Sequence, residues 1–126
     1  MSRQPPASPG TAWIGPEYRL AAYGTLQPGR PNHHQLAGLK GTWRPGTVRG
    51  RLYPNGWGAA LGYPGLVLDP GGETIALQIL ESLDLPAHWA RLDAFEGDGY
   101  RRVAAPVETD SGPIEAFIYV LSQAPD

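Results

Sequence analysis

Residues 85–102 read LPAHWARLDAFEGDGYRR, and this stretch decides how the chain is expected to fold. Pro86 stands where the first turn of a helix tolerates proline. Gly97 follows the last residue of the apolar pattern, in the position that glycine favours just beyond a helix. The stretch therefore predicts a helix over residues 86–96, followed by a strand that begins at Arg101.

Short apolar segments bounded by Gly, Pro, Asn or Asp lie on both sides of this helix. They predict strands over residues 18–23, 48–53, 66–68, 74–80, 101–107 and 114–121. A second, short helix is expected over residues 31–40, started by Pro31 and followed by Gly41. About six short strands with one or two helices indicate an α+β domain, a curved sheet or small barrel with helices at one side. Its short connections favour antiparallel pairing.

The composition excludes several classes of protein. The 126 residues include 17 Gly and 14 Pro without a period, which fits one loop-rich domain. Ten basic and 12 acidic residues give a net charge of −2, so the basic excess of nucleic-acid-binding proteins is missing. Without cysteine there is no disulfide, thiolate nucleophile or cysteine-ligated zinc. The longest apolar run, residues 116–121, is too short to span a membrane, and we expect a soluble, cytoplasmic protein. The oligomeric state is not indicated.

Residues 1–16 differ in composition from the remainder of the chain. They contain Pro5, Pro6, Pro9 and Pro16 with almost no apolar side chains, and we expect a flexible, proline-rich tail. A proline-rich ligand for a partner is the alternative. The folded domain is expected over residues 17–124.

Glu96 is the most informative side chain of the predicted helix. At about 100° per residue from Trp89, Leu92 lies near −60° and Glu96 near −20°, so a carboxylate falls inside the apolar stripe. Burial would raise its pKa from about 4.3 towards neutrality, as suits a general acid or base. Alternatively, Glu96 turns outward or pairs with Arg101 or Arg102.

The other chemical candidates are weaker. His33 and His34 are adjacent, so they point in different directions, and no third ligand stands at a metal spacing; we expect surface histidines and no metal site. Asp93 lies near Glu96 on the helical projection, where it could orient or repel it, or pair with a neighbouring arginine. No nucleotide-binding or serine-hydrolase motif occurs.

Four motifs occur in an informative order: YGTLQPGRPN at 23–32, YPGL at 63–66, LDAFEGDGYRR at 92–102 and AFIYV at 116–120. In order and spacing, the chain resembles the gamma-glutamylcyclotransferase-like family, with its AIG2-like and gamma-glutamylamine cyclotransferase branches, over about residues 18–121. The resemblance implies a small mixed, mostly antiparallel β-barrel of about six strands with one or two flanking helices. It also implies an enzyme that cyclises the γ-glutamyl group of a γ-glutamyl-amine or γ-glutamyl-peptide to 5-oxoproline and releases the amine.

The resemblance assigns Glu96 as the general acid and base, which is the acid that the helical projection singles out. In the family this glutamate takes a proton from the substrate's α-amino group and returns it to the leaving amine. The resemblance therefore implies no metal, no cofactor and no covalent enzyme intermediate.

The resemblance also assigns a substrate loop. Tyr23, Gly24, Thr25 and Leu26 match the turn whose backbone N–H groups hold the glutamyl end, and Gly24 lets the ligand approach closely. Tyr100 matches a pocket tyrosine whose hydroxyl contacts the substrate or positions the acid; a packed aromatic with an exposed tip is the alternative.

Two segments depart from the family pattern. Residues 76–80 (ALQIL) replace a motif with a glutamate, and residues 54–62 (PNGWGAALG) are unlike the family. We expect residues 54–62 on the leaving-group side of the pocket. A non-catalytic binding or regulatory module is the alternative function, and a hydrolase or acyltransferase using the same acid is a third; the presence of Glu96 favours an enzyme.

Overall fold

The computed structural model describes residues 15–24, 26–30 and 32–123. It contains six strands: β1 (Arg19–Ala22), β2 (Thr42–Tyr53), β3 (Gly65–Leu68), β4 (Glu73–Glu81), β5 (Tyr100–Thr109) and β6 (Gly112–Leu121). One α-helix, α1, comprises Trp89–Glu96. Most of the predicted tail, and Thr25 of the predicted substrate loop, lie outside the described residues.

Five of the strands form a closed barrel, and the sixth lies outside it. The strands follow the order β3-β2-β4-β1-β6-β5, and a pairing between Thr47 of β2 and Glu108 of β5 closes the barrel. The outer strand, β3, pairs with β2. β1 and β6 are parallel, and the other pairs are antiparallel. The small, mixed, mostly antiparallel barrel is confirmed.

β2 is twice as long as predicted, because its first half contains Pro45 and Gly46, two residue types that usually interrupt strands. Both pair with β4, Pro45 opposite Gln78. A Cβ atom on Gly46 would lie 2.7 Å from Cγ1 of Val107 and 2.8 Å from Cδ1 of Ile79. The glycine therefore allows β2 to approach its neighbours closely beside the residue that closes the barrel.

α1 begins later than predicted but ends where expected. Pro86 lies in a separate 3-10 turn, Leu85–Ala87, and the α-helix starts at Trp89. Gly97 has a φ of 80°, and its N–H bonds to the carbonyl of Asp93 at 3.0 Å. The expected second helix is a single 3-10 turn, His33–Leu36.

β1 is buried on both faces, and its packing against α1 determines where the candidate site lies. Ala21 belongs to the barrel interior, whereas Leu20 and Ala22 pack in a second cluster with Trp89 and Leu92 of α1. The helix therefore covers one side of the barrel along β1. As a result, the turn after β1 and the C-terminal end of α1 border the same space.

A buried ion pair joins β1 to β4. Arg19, only 2% exposed, donates from Nε to Oε2 of Glu81 at 3.0 Å and from its terminal nitrogen to the carbonyl of Glu115 at 2.9 Å. Arg19 and Glu81 are opposite one another in the strand register. In the part of the chain that the structure describes, no helix is long and apolar enough to cross a bilayer.

Candidate active site

A cavity of about 300 Å³ opens where the turn after β1 meets the end of α1. It brings together five of the six predicted site residues, namely Tyr23, Gly24, Leu26, Glu96 and Tyr100. The sixth is Thr25, outside the described residues.

The segment before β3 forms another wall of the cavity. Residues 54–62, expected on the leaving-group side, do not line it, so that expectation is wrong for the cavity itself. Tyr63 and Pro64, which follow directly, do line it.

Glu96 is the last residue of α1 and the one charged residue among the described residues that line the cavity. Its side chain is half-buried, and burial raises its pKa to about 7. Within the described residues its carboxylate has no hydrogen-bond or ion-pair partner. The alternative pairing with Arg101 or Arg102 is therefore not formed. A carboxyl group in this setting can exchange a proton near neutral pH.

Asp93 pairs with an arginine on the outer side of α1. Arg102 donates to both Asp93 oxygens, at 2.8 and 3.1 Å, and the hydroxyl of Tyr119 donates to Oδ1 at 2.7 Å. The hydrogen bonds from Arg102 lower the pKa of Asp93. The Arg102 guanidinium also lies 4.6 Å from the ring centroids of Trp89 and Phe117. This network ties the helix to β5 and β6 and so fixes the helix end that borders the cavity.

Two tyrosine hydroxyls hold β3 and the segment before it against the cavity. Tyr23 donates to the carbonyl of Tyr119 at 2.6 Å and accepts from the N–H of Leu66 at 3.2 Å. Tyr100 donates to the carbonyl of Pro64. Burial raises the pKa of Tyr23 and raises that of Tyr100 to about 12, so both hydroxyls keep their protons.

Gly24 does not have a positive φ, so its backbone conformation does not require glycine. A Cβ atom here would lie 3.6 Å from Cγ of Pro64, an ordinary contact. The fold alone therefore tolerates a small side chain at Gly24. Within the described residues, the backbone N–H groups of Gly24 and Leu26 donate no hydrogen bond.

His33 supports this turn, a role that the sequence did not reveal. Its Nδ1 lies 3.1 Å from the carbonyl oxygen of Leu26, and its ring packs 5.5 Å from that of Trp43. Because a carbonyl oxygen only accepts, Nδ1 carries the hydrogen. His33 is half-buried, whereas His34 is exposed, and nothing in the sequence distinguishes the two. The described residues contain no group of three or more His, Asp or Glu that could hold a metal ion.

Comparisons with known proteins identify relatives of the chain. The family described as "Gamma-glutamyl cyclotransferase, AIG2-like" matches residues 20–126. The structure of YkqA from Bacillus subtilis is similar, with 31% identity and a TM-score of 0.65, over 83% of this chain and 36% of YkqA. An AIG2-like protein from Mus musculus is 24% identical with a TM-score of 0.66, over 86% of this chain and 80% of the mouse protein.

An uncharacterized protein from Pyrococcus horikoshii is 27% identical with a TM-score of 0.57, over 86% of this chain and 80% of that protein. The chain therefore spans about a third of the length of YkqA but most of the other two. No curated protein gives a significant match.

Proposed function

Because the chain belongs to the gamma-glutamyl cyclotransferase, AIG2-like family, we propose that it converts the γ-glutamyl group of a γ-glutamyl-amine or γ-glutamyl-peptide into 5-oxoproline. The observation that carries the proposal is the setting of Glu96. One carboxyl group with a pKa of about 7 and no protein partner among the described residues borders a cavity large enough for a small ligand.

The reaction is an intramolecular exchange of one amide for another. The α-amino nitrogen of the glutamyl group attacks its own γ-carbonyl carbon and forms the ring C–N bond, and the C–N bond to the leaving amine breaks. The attacking nitrogen starts as an ammonium group and loses two protons, one before the attack and one as the ring amide forms. The leaving nitrogen gains two protons and departs as an ammonium ion. Nothing is oxidised or reduced, and no water is consumed.

In this proposal Glu96 relays the two protons from the attacking nitrogen to the leaving nitrogen, one after the other. Near pH 7 about half of its carboxyl groups are ionised, so it can accept the proton of the attacking nitrogen. Once protonated, it delivers that proton to the leaving nitrogen. A carboxylate occupied by an arginine would be a weaker base, and Arg102 is instead paired with Asp93.

The glutamyl end binds to the turn after β1. The N–H groups of Gly24 and Leu26 are suited to the substrate's α-carboxylate, and Thr25 between them is proposed to contribute in the same way. Tyr23 forms the wall beside them. The oxygen of Tyr100 donates its proton to Pro64 but still has a lone pair that can accept from the substrate's ammonium group.

Release of 5-oxoproline from a panel of γ-glutamyl compounds, read by mass spectrometry, tests the proposal. We expect Glu96→Gln to lower turnover by about 10² to 10⁴ while the fold is kept. Asp98→Asn is the matched control, because this exposed carboxylate lies just beyond the helix and outside the cavity. Near wild-type activity of Glu96→Gln would overturn the role of Glu96. Binding of the ligands without 5-oxoproline would favour a non-catalytic binding module.

A further inference from the structure

The cavity has a buried floor and an exposed rim. Leu20, Ala22 and Tyr119 form part of its floor, and each is at most 5% exposed. Tyr63 and Phe95 line the same cavity but are 59% and 39% exposed. Two large aromatic side chains therefore stand at the opening, where a bound ligand would cover them.

The proposed reaction fixes which end of a substrate meets this rim. Glu96 must reach the α-amino nitrogen, and the ring that forms keeps the γ-carbonyl close to the same acid. The glutamyl group therefore occupies the inner cavity, and the amine that leaves points towards the opening.

The structure anchors the backbone at both rim residues. Phe95 directly precedes Glu96 in the last turn of α1, so its position is tied to that of the acid. Tyr63 precedes Pro64, whose carbonyl accepts the hydrogen bond from Tyr100. Both aromatic rings are thus attached at the opening and can contact the leaving amine.

The charges around the cavity indicate the kind of amine that fits. Apart from Glu96, which the glutamyl ammonium occupies, the described lining residues have no charged side chain. A cationic or anionic leaving group finds no counter-ion at the rim and stays in water. A neutral apolar group instead covers the exposed aromatic surface and gains from its removal from water.

We propose that Tyr63 and Phe95 select γ-glutamyl compounds whose leaving amine is neutral and apolar, such as an aromatic or branched aliphatic amine. This inference rests on the proposed function. The two side chains determine specificity and do not take part in proton transfer. They contact the leaving amine, whereas the turn after β1 binds the glutamyl end of the substrate.

Four substrates of matched glutamyl chemistry test this inference: γ-glutamyl-benzylamide, γ-glutamyl-methylamide, γ-glutamyl-ε-lysine and γ-glutamylglycine. We expect kcat/KM to be about tenfold or more higher for the benzylamide than for the other three, because the methylamide lacks its apolar area and the leaving groups of the other two are charged. Equal values for the benzylamide and the charged compounds would overturn the proposal.

Variants at the rim test whether Tyr63 and Phe95 cause the preference for the benzylamide. Tyr63→Ala and Phe95→Ala are each expected to lower the benzylamide-to-methylamide ratio of kcat/KM by about 5- to 20-fold. Tyr63→Phe keeps the ring and should keep the ratio. Leu83→Ala is the control, since Leu83 is apolar and 73% exposed but outside the cavity. An unchanged ratio in both alanine variants would refute the roles of the two residues.

Failure of the proposed function gives a different result. In that case the wild-type protein releases no 5-oxoproline from any of the four compounds, the methylamide included. Calorimetry with the benzylamide and the methylamide then tests the role of the rim separately. Tighter binding of the benzylamide that is lost in Tyr63→Ala supports this role, and equal binding of the two compounds overturns it.

Discussion

Glu96→Gln is expected to stabilise the fold above pH 7 and to leave it unchanged near pH 4. In the unfolded chain the Glu96 carboxyl group has the ordinary pKa of 4.5, whereas burial raises its pKa to about 7 in the folded chain. Below pH 4.5 the group is protonated in both states. Between pH 4.5 and 7 the unfolded chain releases the proton and the folded chain keeps it, so the free energy of unfolding falls as the pH rises. Above pH 7 the loss is complete.

The size of this effect follows from the two pKa values. A difference from 4.5 to about 7 corresponds to about 3 kcal/mol, at 1.36 kcal/mol per pH unit. Water reaches the half-buried carboxylate in part, which reduces the expected gain to about 2 kcal/mol. Glutamine has nearly the same shape without the charge, so the variant should recover this amount at pH 8.

Urea unfolding followed by circular dichroism, at pH values from 4 to 8.5, measures the difference between wild type and Glu96→Gln. Glu73→Gln, at an exposed site at the start of β4, is the control for removing a negative charge from the surface. A difference that does not depend on pH would refute the reasoning. So would a loss of stability in Glu96→Gln at pH 8, because it would reveal a partner that the carboxylate needs.

Three further experiments test the proposed base, the substrate turn and the buried ion pair. The pH profile of turnover should rise on an acid limb near pH 7, well above 4.5, and Glu96→Gln should abolish this limb; a flat profile from pH 4 to 7 would contradict a buried base. Gly24→Val should weaken binding of every γ-glutamyl compound alike in calorimetry, although a Cβ atom meets only an ordinary contact 3.6 Å away; normal binding would place the ligand elsewhere. Arg19→Met should cost about 3–5 kcal/mol in urea unfolding because it leaves Glu81 buried without its partner, and the added Glu81→Leu should recover much of this loss. A cost of Arg19→Met below about 1 kcal/mol would show that the pair is not needed.

Local patterns in the sequence predicted most elements of the fold. The apolar spacing of α1 and the glycine after it located the end of the helix, because both depend on neighbouring residues. The first half of β2 escaped prediction because Pro45 and Gly46 normally interrupt strands. Here the glycine is used for a close approach to Val107, about 60 residues further along, which no local pattern encodes.

The candidate site was likewise predictable only where it depends on local sequence. Glu96 could be found from periodicity alone, since a carboxylate within an apolar stripe is visible in the sequence. The arginine that pairs with Asp93 could not be predicted, because the pairing depends on how β5 lies against α1. The buried Arg19 and its partner Glu81, 62 residues apart, were likewise invisible, as was the support that His33 gives to the turn.

The position of β1 between β4 and β6 governs how the protein can acquire its fold. Among the described residues β1 is the first strand and β6 the last, and their parallel pairing places Leu20 opposite Phe117. Until β6 is synthesised, one edge of β1 has no partner, and an unpaired edge invites association with other chains. Contacts between such distant segments also favour slow folding. The cavity needs Tyr119 of β6 both as part of its floor and as a donor to α1, so it cannot form before β6 has joined the sheet. A nascent chain that still lacks β6 therefore has no binding site.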